Sequence, residues 1–150
     1  MKYDKPSLAL LIGALSTIPY EIFTRVLVAL GFAKYSVYQL NSFMITLNRP
    51  NALIGAVSTM ILSSGISLVF YYTLKILGRD YLILKSITVS LFSWLILEVL
   101  FMWLIEGRGL IPYRPIYDYY SEMFGAIVFG ITLGLLFRKY LLRLDSTAKT

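Results

Sequence analysis

The chain has 150 residues, 58% of them hydrophobic and 15% charged, and a mean hydropathy of +0.74; apolar runs of about 20 residues recur along it, which marks an integral membrane protein and excludes an ordinary soluble domain. The formal net charge of +6 does not imply nucleic acid as a partner, because no solvated basic domain is left once the apolar runs are set aside, and Lys and Arg gather in cytoplasmic loops of membrane proteins. With no cysteine and no histidine, disulfides, thiolate chemistry, haem ligation and the commonest zinc sites are excluded.

The N-terminal stretch MKYDKPSLALLIGALSTIPY has the charged-then-apolar look of a signal peptide. The apolar run outlasts a signal peptide's core, however, with no small-residue cleavage site before Phe32, so it reads as a retained first span at about residues 8–32. At 1.5 Å per residue such a helix is about 37 Å long, more than the hydrocarbon core of roughly 30 Å, and must tilt, kink or protrude. Pro19 is the natural kink. The segment KYSVYQLNSFMITLNRPN follows. Ser36 and Gln39 have capping-box spacing, and Val37, Leu40, Met44 and Leu47 form one stripe, the pattern of a short interfacial helix; an ordered loop is the equal alternative. A re-entrant loop is less favoured, since Asn41, Asn48 and Arg49 would need partners at depth.

The second span covers about residues 50–77, with Pro50 suited to the first turn and Gly78 to the stop. A third covers about 81–105, ended by EGRG, and a fourth about 117–142. The connection GRGLIPYRPIYDYYSE between them carries Tyr113, Tyr117, Tyr119 and Tyr120, which read as an interfacial aromatic belt; the alternative makes Tyr113, Tyr117 and Tyr120 the wall of an external ligand site. Lys2, Lys5, Lys75, Arg79, Lys85, Arg138, Lys139, Arg143 and Lys149 fall on one side, against Lys34, Arg49, Arg108 and Arg114 on the other. This places both termini in the cytoplasm. The expected fold is therefore an all-α, four-helix integral membrane bundle forming one domain, with a short helix or loop between spans one and two. Its layout resembles that of small bacterial four-span proteins in architecture only, with no shared motif, and points to a bacterial or archaeal cytoplasmic membrane.

Ionisable residues inside spans cost about 2.5 to 3.5 kcal/mol each near a helix centre. Arg25 lies about 10 Å inside the expected end at Phe32, Glu98 about as far inside Ile105, and Glu122 about a turn inside span four. The spacing predicts Arg25 as a hub, bonded to Glu98 or Glu122, with Glu21 as its intrahelical partner. Such a network either fixes helix register alone, or leaves surplus carboxylates for a proton, a cation or a polar head group. Glu21, the deepest, is the candidate proton carrier.

Small residues form two stripes, Gly55, Thr59, Ser63 and Ser67 in span two and Gly130 and Gly134 in span four. They read as internal helix contacts, with a homodimer seam as the alternative; hydroxyls lining a narrow water path are a weaker reading. Ser16 and Glu21 repeat the spacing of Ser93 and Glu98, but Met102 stands where a second Arg25 would be, so a duplicated hairpin is only suggested. Phosphate-loop, dinucleotide and HExxH motifs are missing. A carboxylate metal site on Glu21, Glu98 and Glu122 is opposed by Arg25 in the same layer. No metal, cofactor or enzymatic activity is expected.

The leading functional expectation is a small transport or permeation protein, or a subunit of one, handling protons, cations or a small polar solute. The alternative is a non-catalytic scaffold that binds a partner membrane protein or its own copy; a third reading is a lipid-head-group binder. The readings differ structurally. A transporter needs a wet cavity reaching Glu21 or Glu98, a scaffold seals and pairs those groups, and a lipid binder opens sideways between helices.

Overall fold

A computed structural model describes residues 4–47 and 49–141; Lys2, Asn48, Leu142, Arg143 and Lys149 lie outside the described residues. The chain forms α1 (Lys5–Ala29), α2 (Val37–Thr46), α3 (Ala52–Leu77), α4 (Leu82–Phe101) and α5 (Ile116–Leu136). Both α4 and α5 continue into a short π-helical turn, Met102–Glu106 and Phe137–Leu141 respectively. All but α2 are long and apolar enough to cross a membrane.

The first helix runs unbroken through Pro19 and stops three residues before the expected Phe32. Gly31 takes a left-handed φ of 78°, and the Gly31 and Phe32 amides turn back to the carbonyls of Val28 and Leu27 at 3.0 and 2.9 Å. This is the Schellman ending that glycine permits without strain. Segment 37–46 is helical, with Gln39 Oε1 accepting from the Ser36 amide at 3.1 Å. Its buried side is broader than the predicted stripe, since Phe43 is buried and Leu47 is not. Asn51 caps α3 by accepting from the Leu53 and Ile54 amides at 3.0 and 3.1 Å. At the far end Lys85 Nζ donates to the carbonyls of Leu77 and Gly78 at 2.8 and 3.1 Å, meeting the negative end of the helix with a cation.

In cross-section the spans run α3, α1, α5, α4. Helix α1 packs between α3 and α5, and α4 packs on α5, whereas α3 and α4 barely touch although only residues 78–81 join them. Helix α2 lies across α3 and α1 at one end of the bundle, here the α2 end. The stripe residues face inward. A Cβ on Gly55 would strike the Tyr38 carbonyl; one on Gly130 would come within 2.7 Å of Ile87 Cα, and one on Gly134 within 2.5 Å of Ser86 Oγ. Thr59 and Ser63 are buried as well, and Ser67 and Ser90 donate across helix contacts to the carbonyls of Ala9 and Ala126, each at 2.5 Å. Close approach of backbones and interhelical hydroxyl bonds take the place of a hydrophobic driving force. The half of the bundle away from α2 is filled by Phe70, Phe129, Leu133 and Phe137; Leu40, Phe43, Phe101, Ile105 and Ile111 pack separately beneath α2.

Candidate functional site

The structure corrects the expected hub. Arg25 keeps 57% of its side chain exposed and donates to Glu21 Oε1 from Nε at 2.8 Å and Nη2 at 2.5 Å; it meets neither Glu98 nor Glu122. Because α1 ends at Ala29, Arg25 lies about one turn from the helix end and reaches outward, as long cationic side chains do near a boundary.

Glu21 is buried, and its charge is met from another direction. Ser36 Oγ donates to Oε1 and the Tyr38 amide to Oε2, each at 3.0 Å, while Thr24 Oγ1 accepts from the Val37 amide at 3.2 Å. Side chains of α1 thus satisfy the orphan amides at the positive end of α2. The residues predicted as one site, Glu21, Arg25, Glu98 and Glu122, part company here, since Glu21 lies under α2 with both oxygens occupied.

The cation at the centre of the acidic groups is Arg114, from the loop between α4 and α5. Its side chain is 1% exposed. Nε donates to Glu106 Oε1 at 2.5 Å, Nη2 donates to Glu98 Oε1, and the guanidinium carbon lies 4.6 Å and 4.5 Å from the ring centroids of Phe101 and Tyr119. Burial alone would loosen its proton, but Glu98 and Glu106 outweigh that and hold Arg114 above its ordinary pKa. Tyr119 completes the group by donating to Glu106 Oε2 at 2.7 Å. The π turn explains how two glutamates eight positions apart reach one guanidinium. In a continuous α-helix they would sit about 80° apart. The i to i+5 bond from the Gly107 amide to the Met102 carbonyl, 2.7 Å, adds a residue to the turn and swings Glu106 back beneath Glu98.

Behind this group, Tyr20 donates to Glu122 Oε2 at 2.7 Å, and Asp118 Oδ1 accepts from the Lys34 amide at 2.6 Å. A cavity of about 60 Å³ lies between α3 and α4, with Ser63, Trp94, Glu98, Arg114, Tyr20 and Glu122 among its walls. That is room for a few water molecules or a head group of a few heavy atoms. Two of its polar wall atoms, Glu122 Oε1 and Trp94 Nε1, are buried with no hydrogen-bond partner among the described residues. Glu21 and Arg25 do not line it. Tyr113, Tyr117 and Tyr120 point away and are 78%, 63% and 52% exposed, so of the four tyrosines between residues 113 and 120 it is Tyr119 that joins the acidic group. No cluster of three or more acidic groups is arranged to hold a metal ion among the described residues.

Arg114 and Glu106 escape a reading by hydropathy because one lies in a loop and the other in the EGRG terminator. A signal does exist, in that Glu98, Glu106, Asp118 and Glu122, half of the chain's eight acids, fall between residues 98 and 122. No family model, curated protein or solved structure matches the chain.

Proposed function

We propose that this membrane protein binds a small amphiphile whose head group is neutral or cationic. The head enters the cavity beside Glu122 and its chain leaves between α3 and α4. The observation that carries this reading is the pair of unpartnered atoms, Glu122 Oε1 and Trp94 Nε1, on the wall of a cleft between helices that barely touch. A buried polar atom without a partner costs about 1 to 3 kcal/mol, a cost a scaffold has no reason to carry. Glu122 asks for a donor and Trp94 for an acceptor, which a hydroxyl head supplies together. An ammonium head answers Glu122 and offsets the surplus of acid, since Glu98, Glu106, Asp118 and Glu122 lie around the buried guanidinium of Arg114. An anionic head meets repulsion from the same groups.

The test uses Trp94 emission in a Trp103→Phe background, with the protein in nanodiscs and dodecanol, dodecylamine and dodecanoate as probes. The alcohol and amine should shift the emission saturably and dodecanoate should not; Glu122→Gln should weaken amine binding by at least about 10-fold, the loss of one charge-assisted hydrogen bond. Equal responses to all three probes, or an unchanged affinity in Glu122→Gln, would sink the reading.

Proton or cation permeation is the second reading, favoured by the room for water beside Glu98 and Glu122. Phe70, Leu133 and Phe137, all fully buried, stand across its continuation toward the other end. Proton flux into liposomes that falls in Glu98→Gln and Glu122→Gln, with no amphiphile response, would select it.

A further inference from the structure

The cavity between α3 and α4 presents a buried acceptor, Glu122 Oε1, and a buried donor, Trp94 Nε1, neither with a partner among the described residues. Glu122 gives its other oxygen to the Tyr20 hydroxyl at 2.7 Å. The guanidinium of Arg114 donates to Glu106 and Glu98, so Glu122 has no cation bonded to it among the described residues. The other hydroxyls of the lining divide in the same way. Thr59 donates to the Gly55 carbonyl at 2.6 Å and Ser90 to the Ala126 carbonyl at 2.5 Å. Ser63 is buried on the α3 wall, and its Oγ takes part in no hydrogen bond among the described residues. A helical serine ordinarily bonds a carbonyl one turn back, as the neighbouring Ser64 does to Met60 at 2.8 Å, and Ser67 one turn on reaches the Ala9 carbonyl at 2.5 Å. Helices α3, α4 and α5 thus each bring one unmet polar group to the lining of a single space.

Building on the reading of this cavity as an amphiphile site, we propose that its occupant is a long-chain amino alcohol, with a primary ammonium and a hydroxyl on the same head. A simple ammonium serves Glu122 but has no lone pair for the Trp94 N–H. A simple alcohol serves both atoms, yet brings no charge to the carboxylate, and hydrogen bonds to an ionised partner are roughly twice as strong as neutral ones. The two groups together answer all three walls. An ammonium N–H donates to Glu122 Oε1, the hydroxyl oxygen accepts from Trp94 Nε1, and the hydroxyl proton goes to Ser63 Oγ. Size acts in the same direction. The cavity holds about 60 Å³, and a water-sized group needs about 10 to 15 Å³ of such space, so about four heavy atoms fill it. An amine and a hydroxyl on adjacent carbons meet that count. A trimethylammonium head is bulkier and has no N–H to offer, and a phosphate head would add negative charge beside Glu122.

Native mass spectrometry of the protein in neutral detergent, titrated with 2-aminododecan-1-ol, dodecylamine or dodecan-1-ol, reads the binding directly. The amino alcohol should bind at least about 10-fold more tightly than dodecylamine, the effect of giving a buried, unpartnered N–H its acceptor. Trp94→Phe keeps an aromatic ring and removes the N–H, and should erase that preference. Ser63→Ala removes a hydroxyl that no protein group uses, so folding is not at risk, and it should cut the preference about 5-fold. Dodecyltrimethylammonium should fail to displace the amino alcohol. Equal affinities for the amino alcohol and dodecylamine, a preference that survives both substitutions, or displacement by dodecyltrimethylammonium overturns the amino-alcohol assignment while the amphiphile reading stands. Absence of saturable binding for all three titrated probes overturns the amphiphile reading, and the assignment with it.

Discussion

Arg25 and Arg114 each bind glutamate at the α2 end of the bundle, yet the first leaves 57% of its side chain exposed and the second 1%. Of the three carboxylates they serve, Glu21 and Glu106 are buried and Glu98 nearly so, so the difference lies in what else each acid has. Glu21 rests against the amide end of α2, taking Ser36 Oγ and the Tyr38 amide, and its arginine is an addition from the boundary. Glu98 and Glu106 meet the guanidinium itself. A helix N-terminus is a partial charge fixed in the backbone, whereas Arg114 is a whole charge held by a loop. The same residue pairing therefore secures a helix in one region, and in the other poises a polar wall beside a cleft.

The sharpest way to break this comparison is to remove Arg114. Arg114→Met leaves Glu98 and Glu106 buried without their cation, and breaking a buried pair from one side costs about 3 to 5 kcal/mol. The expected result is a large drop in thermal midpoint in detergent and loss of monodispersity. Adding Glu98→Gln and Glu106→Gln to that variant should recover most of the loss, because neutral groups no longer call for a guanidinium. Arg114→Lys should fall between, having charge without the fork that spans both acids. If Arg114→Met were as stable as the parent, the guanidinium would not be the centre of this region.

Glu21→Gln is the next largest change. The amide retains one acceptor oxygen, but its NH₂ now faces the donor that the other oxygen served, either Ser36 Oγ or the Tyr38 amide, and hydrogen bonds to a charged group contribute about 1.5 to 3 kcal/mol. The loss should be local. Amide exchange across Val37–Thr46 should quicken while the spans keep their protection, since α2 is the element these bonds seat. Uniform loss of protection in all helices would mean that Glu21 serves the whole bundle.

Much of this fold is legible in the sequence. Hydropathy places four spans, each with ends a few residues from those observed, and Gly78 and the Ser36–Gln39 spacing mark real helix boundaries, whereas Pro50, expected in the first turn of α3, lies just before its N-cap Asn51, whose side chain takes up the first free amides. The site is legible only in part, for physical reasons. Depth along a helix tells which residues share a layer but not which way each points, so Arg25, Glu98 and Glu122 looked like one group although Gly31 ends α1 early and turns Arg25 toward the boundary. Arg114 depends on a loop folding back between helix ends, and Glu106 on a π turn that shifts helical phase. Neither leaves a periodic trace. Glu122 was legible because a glutamate just inside a span needs a reason, and its partner Tyr20 sits in α1, where no spacing rule links the two.

Arg25→Ala is expected to have the smallest effect, under about 1 kcal/mol, and for that reason it tests the comparison most finely. The pair is an i to i+4 contact with an exposed partner, the class of ion pair that measures between nothing and about 1 kcal/mol. Removing the arginine leaves Glu21 with Ser36 Oγ and the Tyr38 amide intact, so the carboxylate is not stranded, in contrast to Glu98 and Glu106 without Arg114. Thermal midpoint and amide exchange over Val37–Thr46 should stay near the parent values, and raising the salt concentration should shrink what difference there is. A loss as large as that of Glu21→Gln would show that the amide end of α2 cannot hold the carboxylate alone, and the two arginines would then be doing the same job at different depths.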